Sequence, residues 1–360
     1  MNPPVPPRHS GPPGASGPAP TGPPAPASAP PPRRRWVTVL CALTAAGFLA
    51  FAALRLFGLE RGFPLVPLLA YTPYVLPCAL VALVGTALLR RRLSSAALLL
   101  AVVLLAAVLV PRALPSDGTG DGGSAGAELR LLTLNTHFGH ASPDAVVDLV
   151  REYDVQVLSL QEVTPELVAE LSAAGLDDLL PHAVDHSAPA AAGGSLHSVH
   201  PLTDLGDPGR DLGSLAMPRA AVAVPGQASG IEVTSVHPMS PRRPSSMAAW
   251  QDAHRALPEA GDGEGDSDGE GPVMILAGDF NATLDHAELR AVLDTGYSDA
   301  ASVMGDGLTG TWPVDGPPLP PVALDHVLVD TRAGVEDFTA LDVDGSTHRA
   351  LFVEISLPGD

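Results

Sequence analysis

The chain has 360 residues and a formal net charge of −20, and the charge is unevenly divided: residues 1–112 hold 10 Arg and one acid, Glu60, while residues 113–360 hold 10 Arg and 39 acids, with no Lys anywhere. An acidic body of that kind is a poor electrostatic partner for a phosphate polymer, because nucleic-acid binding leans on Lys and Arg contacts. Both cysteines, Cys41 and Cys78, lie in apolar runs, which excludes a disulfide within the acidic part.

Residues 1–32 contain 14 prolines among Gly, Ala and Ser. Such a tail buries too little apolar surface to offset chain entropy and is expected to be disordered. Three apolar runs follow, at 36–57, 63–89 and 93–111, each near the ~20 residues that span a bilayer. The first is too long for a cleaved leader, and two more runs come after it. Pro67, Pro73 and Pro77 predict a kink in the second. Arg33–Arg35 precede the first run and Arg90–Arg92 separate the second from the third. The positive-inside rule puts both triplets in the cytoplasm, so residues 116–360 are expected outside a plasma membrane crossed three times. The predicted division is a Pro-rich cytoplasmic tail (1–35), three transmembrane helices (36–112), a Gly-rich linker (113–127) and an extracytoplasmic domain (128–360).

From residue 128 on, strand and helix signals alternate. Strands are predicted at 128–135, 154–162, 219–224, 230–237, 272–278, 322–329 and 350–356. Ser142-Pro143 and Thr164-Pro165 each place an N-cap before a Pro at the first helical position, and a third helix is predicted around 245–257. The acidic, Gly-rich stretch 258–272 reads as a solvated loop, with calcium binding as the alternative. Paired strands with helices outside them predict a layered α/β sandwich of roughly 230 residues.

Several of these strands stop in polar chemistry: "TLNTHFG" with Asn135 and His137, "LSLQEV" with Glu162, "TSVHPMSP" with His237, "GDFNAT" with Asp279 and Asn281, "LDHVLVD" with Asp325, and "STHRALFVEI" with His348. Any one of them is unremarkable, since Asp and Asn commonly open turns. Together they suit one chemistry. A hard divalent cation such as Mg²⁺ takes oxygen ligands and keeps several waters, so one or two carboxylates suffice, and Glu162 fits. The lack of cysteine ligands argues against structural zinc. Phosphoryl hydrolysis needs an in-line water, which Asp279 suits, and donors to phosphate oxygens, which Asn281, His237 and Arg219 supply. An imidazole tuned by a carboxylate, His348 with Asp325, serves as base or as phosphate-binding cation.

The order "LNTH", "LQEV", "HPMSP", "GDFNAT", "LDHVLV" and a terminal His before a strand, over 128–360, resembles the endonuclease/exonuclease/phosphatase superfamily with its DNase I-like fold. The resemblance implies a four-layered α/β sandwich that uses Mg²⁺ or Mn²⁺ to cleave phosphate esters. It places Asn135 and Glu162 at the metal, Asp279 and Asn281 at the attacking water and the phosphate, His237 as a second catalytic His, and Asp325 with His348 as a carboxylate–imidazole pair. Arg219, in "MPRAAVAV", falls near a phosphate-contacting Arg of some members. One departure stands out. The family's terminal "S-D-H" is Ser346-Thr347-His348 here, so a metal-site carboxylate is replaced by a neutral hydroxyl. His137 also departs from the acidic residue some nucleases carry there.

Three apolar runs before such a domain resemble the teicoplanin-resistance membrane phosphatases of GC-rich bacteria, which implies a lipid-linked substrate akin to undecaprenyl pyrophosphate. The expected function is therefore a membrane-anchored, metal-dependent phosphoesterase acting outside the cell on a lipid-linked or small phosphate, with nucleic acid a less expected partner. The alternatives are a surface nuclease, a sphingomyelinase-like lipase, and a non-catalytic phosphate-binding module, the last supported by Thr347.

Overall fold

The computed structural model describes residues 1–5, 35–116, 125–227, 230–260, 271–315 and 318–359. Most of the Pro-rich tail, much of the linker and the centre of the acidic stretch lie outside the described residues.

Four helices open the described chain: α1 (Arg35–Leu56), α2 (Leu65–Leu69), α3 (Thr72–Leu88) and α4 (Arg92–Leu109). By length and composition α1 is apolar enough to cross a membrane, and so is α4 with the 3₁₀ turn that carries it to Ala113. Only 22% of each apolar window is buried. Side chains such as Leu40, Leu43, Val81, Val84, Leu99 and Val103 are exposed, a patterning unlike that of a core helix. The second apolar run, expected as one kinked span, is divided. Pro64 and Pro67 confine α2 to five residues, and Pro73 starts α3, where a missing N–H costs nothing. Two helices of spanning length and a 17-residue third therefore stand where three spans were expected.

The remainder runs β1 (Ala125–Asn135), α5 (Pro143–Glu152), β2 (Val157–Gln161), α6 (Pro165–Ala173), α7 (Leu176–Leu179), β3 (His182–His186), β4 (Gly194–Ser198), β5 (Leu202–Gly206), α8 (Pro208–Asp211), β6 (Arg219–Val222) and β7 (Ile231–Val236). It continues through α9 (Met247–Arg255), β8 (Val273–Asp279), α10 (Ala287–Leu293), β9 (Tyr297–Asp299), α11 (Ala300–Met304), β10 (Asp325–Asp330), β11 (Gly334–Leu341) and β12 (Ala350–Pro358). The two predicted caps are real: Ser142 Oγ accepts from Ala145 N, and Thr164 Oγ1 accepts from Leu167 N at 3.2 Å.

The strands form two six-stranded sheets, in the orders β11-β12-β1-β2-β4-β3 and β5-β6-β7-β8-β10-β9. One apolar cluster fills the space between the sheets, with Leu131, Leu196 and Val353 from the first against Val233, Ile275 and Val327 from the second. A second cluster lies under α5, α6 and α7, and a third joins the second sheet to α9 and α10 around Trp250 and Phe280. Helix, sheet, sheet and helix thus make four layers, a mixed α/β two-sheet fold. β8 is buried along its whole length because both its faces are covered.

Topology decides where the strand ends meet. β1 and β2 run parallel, so Asn135 and Gln161, directly paired, finish together. β7 and β8 are also parallel, so His237 and Asp279 leave the second sheet at its corresponding rim. β10 runs antiparallel to β8, which sets its first residue, Asp325, opposite Asp279. β12 runs antiparallel to β1, so His348, just ahead of it, returns to the end where Asn135 lies. The two sheets are stitched near this rim by Gln161 Nε2, within 3.2 Å of Thr133 Oγ1 and 3.0 Å of Ser235 Oγ, and by Ser159 Oγ donating to Ala277 O at 3.0 Å. Gly278 is required here, since a Cβ would run into the Val236 carbonyl of the neighbouring strand.

The N-terminal helices dock on the second sheet's side through buried polar contacts. Arg55 at the end of α1 binds Asp285 at 2.8 Å, and Arg112 beyond α4 binds the same carboxylate at 3.0 Å. Both guanidinium groups also donate to Leu284 O. Glu60 accepts from Ala287 N at the start of α10. Val66 of α2 is fully buried among Met217, Trp250 and Phe280.

Candidate active site

Asn135 is the hub of the rim. Its Nδ2 donates to Asp279 Oδ2 at 3.0 Å and to Glu162 Oε1 at 3.3 Å, while its Oδ1 accepts from His137 N. Its own carbonyl accepts from Ser346 Oγ at 2.7 Å. Glu162 follows β2 with φ 57°, and Asn281 follows Asp279 with φ 46°. Left-handed backbone at non-glycine residues carries strain of order 1–3 kcal/mol each and concentrates at functional sites. At Glu162 that turn brings Oε2 to accept from Phe138 N at 2.8 Å. At Asn281 it lets the backbone N donate to Asp279 Oδ1 at 2.8 Å and Nδ2 donate to Pro238 O at 3.1 Å.

His237 is buried with Nε2 3.6 Å from Glu162 Oε1 and 4.0 Å from Asp279 Oδ2. His348 donates from Nδ1 to Asp325 Oδ2 at 2.9 Å and turns Nε2 toward Asp279 Oδ2 at 3.9 Å. Asp325 is fixed in turn by Thr311, whose Oγ1 donates to Oδ2 at 2.6 Å and accepts from Asp325 N at 3.1 Å. Asp279, Asp325 and His348 all lie within one ligand's reach of each other. Burial acts to lower the His348 pKa, but the Asp325 and Asp279 carboxylates, the hydrogen bond to Asp325 and Glu162 outweigh it and push it up to about 9. The ring is therefore an imidazolium at neutral pH. Burial, then repulsion by Asp325, raises the Asp279 carboxyl above its usual range, against the pull of His348 and His237.

Seven of the eight predicted site residues converge: Asn135, Glu162, His237, Asp279, Asn281, Asp325 and His348. Arg219 does not join them. Its guanidinium is bound by Glu232 on the neighbouring strand β7, which corrects its expected place at the phosphate. Thr347 is half-buried between Ser346 and His348, and its carbonyl accepts from Val314 N. Three groups were not read from the sequence. Thr311 lies in an unpatterned loop and became visible only through Asp325. Trp312 packs its ring 6.2 Å from that of His348, and Arg242 stacks 5.7 Å from the Trp312 centroid. The signal for Arg242 was its place in "HPMSPRR", five residues after His237. Among the described residues no carboxylate pairs with Arg242, whose Nε donates to Ser240 Oγ.

A cavity of about 280 Å³ opens on this cluster. Glu162, His237, Asp279, Asn281 and His348 form its polar lining, with Trp312 and Arg242 beside them. Leu215, Met239, Leu319 and Leu324 add apolar wall, and so do Pro67, Ala70 and Tyr71 from the N-terminal helices. The residues present fit a divalent cation. Glu162 and Asp279 offer carboxylate oxygens, Asn135 turns its Nδ2 to both and its Oδ1 to His137 N, and no thiolate lies near.

Residues 132–348 match the profile of the Endonuclease/Exonuclease/phosphatase family. A comparison with curated proteins finds no match. Among solved structures, the chain is similar to an endonuclease/exonuclease/phosphatase from Beutenbergia cavernae DSM 12333, with 18% identity, 64% of this chain and 72% of that one covered, and a TM-score of 0.45. It is similar to humanized D. rerio TDP2 at 14% identity, 64% and 99% coverage, and TM-score 0.49. Sphingomyelinase C from Streptomyces griseocarneus matches at 16% identity, 63% and 99% coverage, and TM-score 0.42.

Proposed function

The chain belongs to the Endonuclease/Exonuclease/phosphatase family, and from that premise we propose that it is a membrane-anchored, divalent-metal-dependent hydrolase of a phosphate ester or pyrophosphate, lipid-linked and met outside the cytoplasm. The observation that carries the reading is the junction at one rim of Asn135, Glu162, His237, Asp279, Asp325 and His348, drawn from both sheets. Support for the membrane comes from α1 and α4, whose apolar surfaces are mostly uncovered. The arginine triplets support the orientation.

Glu162 would hold the cation, Mg²⁺ or Mn²⁺, both of which suit oxygen donors, with Asn135 orienting its carboxylate through Nδ2. When bound, it would neutralise charge on the phosphate oxygens and keep the facing carboxylates ionised. The chain's own groups do the rest. Asp279, whose proton affinity is raised, holds the attacking water and takes its proton as the oxygen bonds to phosphorus. Asn281 Nδ2 and the imidazolium of His348 face the non-bridging oxygens, with Asp325 and Thr311 holding that ring in place. His237 is placed to protonate the leaving oxygen as its bond to phosphorus breaks. Arg242, with no acid partner among the described residues, takes the outer phosphate-binding part, while Arg219 is held by Glu232.

The test uses full-length protein in lipid nanodiscs with Mg²⁺ or Mn²⁺, offered undecaprenyl pyrophosphate, sphingomyelin and plasmid DNA in separate assays. Turnover of the first that vanishes in Glu162→Ala and His348→Ala supports the reading. Nicking of DNA alone, lost in both variants, would replace it with a surface nuclease. No metal-dependent turnover of any ester would leave the non-catalytic phosphate-binding module, the reading that Thr347 favours.

A further inference from the structure

The cavity lining contains a part that the chemistry above does not use. Pro67 within α2, and Ala70 and Tyr71 between α2 and α3, stand more than 200 residues ahead of Asp279 and His348 in the chain, yet they line the same cavity. This corner is held to the domain by specific bonds. His286 Nε2 donates to Val66 O at 2.9 Å, and Tyr74 Oη donates to Pro321 O at 2.7 Å. Burial lowers the His286 pKa and favours the neutral ring, and its contacts suit Nδ1 accepting from Thr283 N with the Nε2 proton toward the carbonyl. Polar satisfaction of this kind fixes the corner in place.

Two more observations say what the corner faces. The same lining carries Leu215, Met239, Leu319 and Leu324 beside the neutral groups His286 and Ser240, and Arg242 is the only Arg in it among the described residues. A polynucleotide would need a basic track along its path, and an aliphatic chain needs none. The corner also lies at the end of the helix group that docks the domain. Arg55 at the last turn of α1 and Arg112 beyond α4 meet the domain at Asp285, and the corner joins α1 to α3 at that same end. From there the uncovered apolar surface of α3 and α4 continues away from the cavity.

We propose that the α2–α3 corner is the chain-binding wall of the active site: Pro67, Ala70 and Tyr71, together with Leu319 and Leu324, seat the first carbons of an aliphatic chain esterified to the phosphate. The substrate class is then an alkyl or polyprenyl phosphate drawn from the bilayer, with its phosphate at His237 and His348 and its chain leaving along the helices. This rests on the phosphoesterase reading above and adds the means by which a lipid is distinguished from a soluble ester. Apolar contact per methylene supplies the discrimination.

The experiment compares octyl p-nitrophenyl phosphate with methyl p-nitrophenyl phosphate, using full-length protein in nanodiscs with Mg²⁺. Both release p-nitrophenolate. Binding of octyl phosphate and methyl phosphate is measured alongside by calorimetry. The wild type is expected to favour the octyl compound in kcat/KM and in affinity by at least tenfold. Ala70→Trp narrows the corner from the helix side, and Leu319→Asp places a charge on the domain side at an exposed position that tolerates it. Each is expected to lower the octyl-to-methyl ratio about tenfold. Turnover with no chain preference, or a preference unchanged in both variants, overturns the chain-binding wall and leaves the hydrolase standing. Absent turnover with chain-dependent binding lost in both variants overturns the hydrolase and keeps the wall. Neither turnover nor chain-dependent binding overturns both.

Discussion

His348 Nδ1 lies 2.9 Å from Asp325 Oδ2, and the same ring points Nε2 at Asp279 Oδ2, 3.9 Å away on the strand paired with Asp325. One imidazole thus bridges two carboxylates that the β8–β10 ladder sets face to face. The arrangement fixes its orientation and favours its cation.

Asp325→Asn removes a charge that, together with Asp279 and Glu162, outweighs burial at His348, so the imidazolium should be lost at lower pH. A raised His pKa contributes stability that is complete below the unfolded value of 6.5 and is lost as pH rises through about 9. Ring-proton NMR should show His348 titrating well below 9 in the variant. Turnover should fall about 10²–10⁴-fold at neutral pH. An unshifted titration would show that Asp325 does not govern the ring.

Glu162→Gln keeps the side chain's shape and removes a carboxylate facing His237 and Asn135. The Mg²⁺ concentration for half-maximal activity should rise at least ~10-fold. Thr347→Asp should move it the opposite way, because it adds an anion next to His348. Equal metal dependence in all three proteins would place the cation elsewhere.

Arg242→Ala should raise KM for a phosphate substrate several-fold with little change in kcat, since the guanidinium stacks on Trp312 and bonds Ser240 rather than Asp279 or His348. Arg219→Ala, which breaks only the pair with Glu232, should leave KM unaltered. The reverse pattern would restore Arg219 to the phosphate.

Asp285→Asn leaves Arg55 and Arg112, 8% and 12% exposed, without their shared anion. Breaking a buried ion pair on one side costs about 3–5 kcal/mol. The melting temperature should drop by several degrees, and limited proteolysis should reach the junction between the helices and the domain. An unaltered melt would mean the clamp contributes no net stability.

Asp299 and His326 form a buried pair at 2.9 Å. Burial opposes both charges, but the partner, helped by Ser302 for Asp299 and by the Ala282 carbonyl and Asp325 for His326, outweighs it, so Asp299 is held below 3.8 and His326 above 6.5. The pair's contribution is therefore present between those values. It is lost as pH falls through the lowered carboxylate pKa or rises through the raised imidazole pKa. The stability gap between wild type and Asp299→Asn should be widest near pH ~5–6 and narrow in alkali. Denaturation at both pH values measures it, and a gap that widens with pH would reverse the assignment.

Much of the site was legible because local pattern carries it. Apolar runs of strand length that stop in Asn, Glu, Asp or His identify both the strands and the polar rim, and Ser142-Pro143 and Thr164-Pro165 announce their helices by capping chemistry alone. All seven predicted strands are present within a few residues of their expected bounds. The strands left out, β3, β4, β5, β9 and β11, are mostly short or edge strands whose His, Ser, Gly and Asp content masks any alternation.

By itself, then, the sequence determined the alternating elements, the long apolar helices and the chemical kind of the rim residues, since each is set by neighbours a few positions away. Only the tertiary structure decided which polar residues meet. Arg219 and Arg242 look alike in sequence, but the register of β6 on β7 gives the first to Glu232, while the loop after β7 stacks the second on Trp312. Arg55 reaches Asp285 across 230 positions, and Ala70 and Tyr71 reach the cavity of Asp279 across a similar span. Such pairings depend on sheet order and helix docking, and no local periodicity encodes a contact whose two halves are separated by the whole of a folded domain.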